Sequence, residues 1–150
     1  MVSIEGCRKE SIAQPLMATG QYSNDTAFHR FLLTCNFWTR VSEARGMALF
    51  SEGWKTAARV RLLHTLIRRR LLRSGKWDAG HLGMSINQVG LMATPVLGSL
   101  GMGEHMKLLG FAVSRDDIEA MMHFWGYVGK IMGLQEGLWP RNIEEGLQTL

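Results

Sequence analysis

KTAARVRLLHTLIRRRL, Lys55 to Leu71, is the stretch that decides the fold. Val60, Leu63, Ile67 and Leu71 recur at i, i+3, i+7 and i+11, the spacing of one face of an α-helix. Ser74-Gly75 supplies a stop, so the spacing predicts a helix that starts at Ser51 and runs to Arg73. Between Lys55 and Lys76 lie eight basic residues and no acidic one, which leaves the rest of the chain net acidic although its formal net charge is +4. One titratable residue, His64, falls on the apolar stripe.

Working outward, helical spacing continues and strand-type alternation is scarce. Residues 1–22, broken by Gly6, Pro15 and Gly20, form an irregular lead-in, and residues 23–150 form the helical domain. A first helix is expected from Asp25 to Arg45, with Phe28, Phe31, Leu32, Cys35, Trp38 and Val41 as its buried stripe. A third is expected to start at Ser85, where Ser85 and Gln88 match the S-x-x-Q capping box. Pro95 should kink it, with a break over Gly98 to Gly103 and a short helix over Glu104 to Leu109. Ser114 opens a helix ending at Met132 before Gly133, and Pro140 suits the first turn of a last helix over Arg141 to Leu150. The fold class is all-α: a multi-helix domain around one pocket.

Composition narrows the functions. A hydrophobic fraction of 46% with 20% charged residues suits a folded chain rather than a disordered one. The 10 methionines suit an adaptable, irregular interior. Two cysteines, Cys7 and Cys35, make no disulfide framework, and without CxxC or CxxCH neither a zinc knuckle nor covalent haem attachment is indicated. Cys35 is expected to be buried. The N-terminus lacks the apolar run of a secretory signal, and no stretch forms a standard membrane span, so an intracellular location is expected. No aromatic residues interleave with the arginines of Lys55–Lys76, so nucleic acid is not an expected partner. Peripheral contact with an anionic membrane is compatible with the basic helix. P-loop, GxSxG, HExxH and dinucleotide motifs are all absent.

Two groups of residues can carry chemistry. Arg61 and Arg68, three before and four after His64, share its helix face. A haem asks for this combination, a neutral imidazole for iron and cations for its carboxylates. A hydrogen-bonded core histidine is the commoner outcome at such a position. Arg30 and Thr34, spaced i, i+4, could present a fixed charge and a hydroxyl to bound dioxygen, or could be a solvated arginine and a threonine bonded to its preceding turn.

These pieces together resemble the family of latex-clearing (rubber-cleaving) proteins and mpaB-type oxygenases. Lys55 to Leu71 resembles that family's central helix, whose R-x-x-H-x-x-x-R histidine ligates a b-type haem. HRFLLTCNF, His29 to Phe37, resembles its distal helix with the R-x-x-x-T pair. SINQ with Thr94, and SRDDIEAMMHFWGYVGKIMGLQEGLWP from Ser114 to Pro140, resemble its downstream helices. The resemblance implies non-covalent haem b on His64, with Arg61 and Arg68 beside it and Arg30 and Thr34 on the oxygen side. It further implies dioxygen and a hydrophobic small-molecule or polymer substrate, with oxidative cleavage of an isoprenoid carbon–carbon double bond. Leu33 replaces the lysine that rubber-cleaving members carry before the distal threonine, and Gly90 replaces an acidic residue common after N-Q. The family domain is usually longer, so residues 23–150 are expected to be part of one. The competing expectations are a non-catalytic haem- or lipid-binding protein of the same fold and a basic-helix interaction module.

Overall fold

The computed structural model describes residues 13–15, 17 and 24–149. The chain is all-α, with no strand among these residues. Most of the lead-in at residues 1–22 lies outside the described residues; within it, 13–15 and 17 are helical. The helices are α1 (Asn24–Ser42), α2 (Glu52–Arg73), α3 (Ala79–Leu82), α4 (Gln88–Val96), α5 (Met102–Leu108), α6 (Arg115–Met132) and α7 (Ile143–Leu147), with a π-helical turn over Leu97–Gly101. They fall into two compact units, within Ser3–Asn87 and Gln88–Leu150. No described helix is long and apolar enough to cross a membrane.

The first unit is built on the α1–α2 pair. The Ser51 hydroxyl accepts from the Trp54 amide and so caps α2 at the start the spacing predicts. The Trp54 amide also donates to the Gly46 carbonyl at 2.9 Å, and the Ser51 hydroxyl donates to the same carbonyl. These bonds pull the α1–α2 connection tight. The crossing leaves no room for a side chain: a Cβ on Gly53 would stand 2.4 Å from the carbonyl oxygens of Arg40 and Gly46. α2 turns Gly53, Ala57 and Leu71 inward, all buried. His64, spaced seven from both Ala57 and Leu71, shares that face.

This packing corrects the expected face of α1. Phe37 and Val41 are buried and Arg30 half-buried; these three lie on one face at spacings of seven and four. Phe28, Phe31 and Leu32 of the expected stripe are 68%, 55% and 47% exposed, and Cys35 is exposed rather than buried. On α2, Leu63 is likewise exposed, while Val60 and Ile67 are half-buried. α1 carries two overlapping apolar faces, and the tight glycine crossing selects the one that holds Phe37 and Val41.

A second correction falls at Ser85. The residue does not cap a helix: α4 begins at Gln88, and Ser85 lies fully buried in the connection from α3. Gln88 does not turn back to close a capping box. Its amide donates to the Gly133 carbonyl at 3.1 Å and its oxygen accepts from the Gln135 amide at 3.0 Å. These bonds fasten the start of α4 to the end of α6.

In the second unit, Pro95 interrupts the backbone ladder without ending the helix. The chain continues as the π-helical turn and then α5, so the expected break over Gly98 to Gly103 is a widened turn. The buried Ser99 hydroxyl donates to the Pro95 carbonyl at 2.8 Å, which helps satisfy the acceptors that turn loosens. α6 has the predicted bounds, with a capping box between Ser114 and Asp117 and Gly133 left-handed at φ 99°. Val96, Leu100, Ile118, Met122 and Ile143 form its core, with Met92, Met121 and Trp139 against it. The last helix is shorter than expected, because Asn142 rather than the Pro140 turn caps it.

Gly53→Ala should lower stability by about 1–3 kcal/mol, since only backbone can yield at that crossing. Gly101→Ala, whose Cβ would meet nothing closer than 3.5 Å, should be tolerated. Urea denaturation of both variants checks this; equal midpoints would contradict the close crossing.

Candidate functional site

His64 sits mid-way along α2 on the face turned to α1. Its Nδ1 is buried and has no hydrogen-bond partner. Burial pushes the imidazole pKa down to about 4, and the Arg30 and Arg68 guanidiniums push in the same direction. No carboxylate among the described residues acts on the ring to offset them. At neutral pH the side chain is therefore an uncharged imidazole facing two fixed cations.

The predicted residues divide around this ring. Arg30, half-buried on α1, and Arg68, one turn after His64 on α2, both lie within its electrostatic reach. Arg61 is exposed, and its carbonyl accepts the Thr65 hydroxyl at 3.0 Å. Thr34 is exposed, and its hydroxyl donates to the Arg30 carbonyl at 3.1 Å. Its proton is thus committed within the helix, and only its lone pairs remain to meet a ligand.

Arg68 also has a task that spacing alone did not suggest. Its Nε donates to the Ser85 carbonyl at 3.2 Å and its Nη2 to the Ile86 carbonyl at 2.8 Å. Ile86 holds φ at 51°, a strained value for a β-branched residue. The indole of Trp77 donates to the Gly83 carbonyl at 2.8 Å and holds the other end of the same connection. Sequence reasoning missed Ser85 and Ile86 as neighbours of the site. The S-x-x-Q pattern marked Ser85, but as a helix cap.

A neutral, half-buried imidazole on which two guanidiniums and no described carboxylate act is a place for a ligand that brings its own negative charge. A family model described as ER-bound oxygenase mpaB/B'/rubber oxygenase, catalytic domain, matches residues 6–150. The chain belongs to this family. No curated protein and no solved structure matches it. Family membership makes this an oxygenase-type catalytic domain.

The depressed pKa has a thermodynamic consequence. Between pH 6.5 and about 4 an unfolded chain takes up a proton at His64 that the folded chain refuses. Stability from this residue is therefore fully present above the unfolded pKa and is lost as pH falls through that window. The amount is on the order of 3 kcal/mol. Denaturation of the cofactor-free protein at pH 7, 5.5 and 4.5 should show this loss, and His64→Leu should lose less over the same range. Parallel pH dependences would contradict the neutral buried ring.

Proposed function

We propose that the chain is a haem b-dependent oxygenase domain that cleaves a carbon–carbon double bond in a hydrophobic, isoprenoid-like substrate. The observation that carries this reading is His64: half-buried on the face of α2 turned to α1, neutral, and acted on by two guanidiniums. Haem has a Lewis-acidic iron that takes a neutral imidazole and two propionates that take cations, so the residues present fit the group.

His64 would supply the imidazole, and its low pKa means that no proton has to leave before coordination near neutral pH. Arg68 keeps guanidinium protons beyond the two it gives to Ser85 and Ile86, and these can meet a carboxylate. Arg61, on the exposed side, is the second candidate for that role. Bound haem would supply the dioxygen chemistry, the alkene and one dioxygen giving two carbonyl groups. Arg30, on the facing helix, would hold fixed positive charge where negative charge develops on oxygen. Thr34, whose proton goes to the Arg30 carbonyl, would accept hydrogen bonds from a ligand rather than give them.

A second reading, a haem- or lipid-binding protein without catalysis, draws on Leu33. It stands at the position of the rubber-cleaving members' lysine and is 53% exposed on α1, so no cation from that position assists Arg30.

Protein purified with a haem supply should show a Soret band that His64→Ala loses. Arg30→Gln should keep the band and reduce alkene cleavage by about 10²-fold. Cleavage products formed equally well by His64→Ala would end the proposal. A His64-dependent Soret band with no product from any isoprenoid alkene would favour the non-catalytic reading.

A further inference from the structure

Among the described residues, two buried side-chain polar atoms lack a hydrogen-bond partner: His64 Nδ1 and Ser85 Oγ. They belong to residues 21 positions apart, on α2 and in the connection after α3. Arg68 links them. It lies one turn from His64 on the same side of α2, and its Nε holds the Ser85 carbonyl at 3.2 Å. An unpartnered buried polar atom costs about 1–3 kcal/mol, and here the two belong to residues that Arg68 bonds or acts on, so one shared partner would relieve both. The backbone around Ser85 is fixed accordingly. Ile86 is held at its strained φ of 51° by the second Arg68 bond, and Trp77 secures Gly83. Strain persists where the surrounding structure over-determines it, and such places cluster at functional sites.

We infer that Ser85 is a positioning residue for His64: a buried water beside Arg68 joins the Ser85 hydroxyl to the His64 Nδ1–H. Such a water has the polar partners that buried waters need, from the imidazole, the hydroxyl and the guanidinium. The bridge sets the ring's tautomer. With the proton on Nδ1, the lone pair sits on Nε2, the nitrogen left to coordinate a metal. Ligating histidines are oriented in this way by what their other nitrogen donates to. The inference rests on the haem reading for its purpose and on the two orphaned atoms for its geometry. It gives the Arg68–Ser85 bond a function beyond holding a loop.

A double-mutant cycle on the full chain without added haem tests it. Ser85→Ala should lower the folding equilibrium constant about fivefold or more in the native background and change it little in His64→Leu. In ¹⁵N-histidine spectra near neutral pH the native ring should be mainly the Nδ1–H tautomer. Ser85→Ala should shift it toward Nε2–H, and Ser85→Thr, which keeps the hydroxyl, should restore it. A Ser85→Ala protein as stable as the native one in both backgrounds, with an unchanged tautomer, overturns the inference. Because these readouts need no haem, a missing Soret band would defeat the haem reading alone. A Soret band with no coupling would defeat the bridge alone.

Discussion

The close crossing of α1 and α2 is the constraint on which the site depends. Gly53 meets the carbonyls of Arg40 and Gly46 with no space for a Cβ, and the Trp54 amide and Ser51 hydroxyl converge on the Gly46 carbonyl. Contact at one end fixes how both helices are rotated along their length. On α2 the inward face then carries Gly53, Ala57, His64 and Leu71; on α1 it carries Arg30, Phe37 and Val41. Arg30 comes within electrostatic reach of His64 through that rotation, although 34 positions separate them.

The electrostatics follow from the packing. A histidine in water with two arginines nearby would still titrate close to its ordinary value, because water screens the charges. Burial removes that screening, and it is the largest cause of the low pKa of His64. A core histidine commonly finds a hydrogen-bond partner at each buried nitrogen. His64 finds none at Nδ1 among the described protein groups, which separates it from the histidine bonded within the core that spacing alone favoured. The strained, doubly anchored connection at Gly83–Ile86 lies against the same arginine, so strain and unsatisfied polarity meet in one neighbourhood.

The parts of this arrangement governed by local chemistry were legible in the sequence. Ser51, Ser114 and Gly133 mark helix ends through hydrogen bonds and a backbone angle that neighbouring residues determine. The R-x-x-H-x-x-x-R spacing placed His64 and Arg68 on one side of α2 because helix geometry is fixed. The face of α1 was not legible. Phe28, Phe31 and Leu32 form a convincing stripe, and only the crossing at Gly53 shows that they lie away from α2. The Ser85 pattern misled for a related reason. Whether S-x-x-Q closes a capping box depends on competitors for Gln88, and here the Gly133 carbonyl and Gln135 amide, more than forty residues on, take its side chain.

The most direct test of this account is the ring of His64 itself. In a proton NMR titration of the folded, cofactor-free protein, assigned by comparison with a His64→Gln variant, the His64 resonance should hold its neutral position as pH falls from 7 to 5. Its midpoint should lie near 4. A midpoint near the ordinary histidine value, about 6.5, would mean that the ring is solvated, and the site built around it would fall.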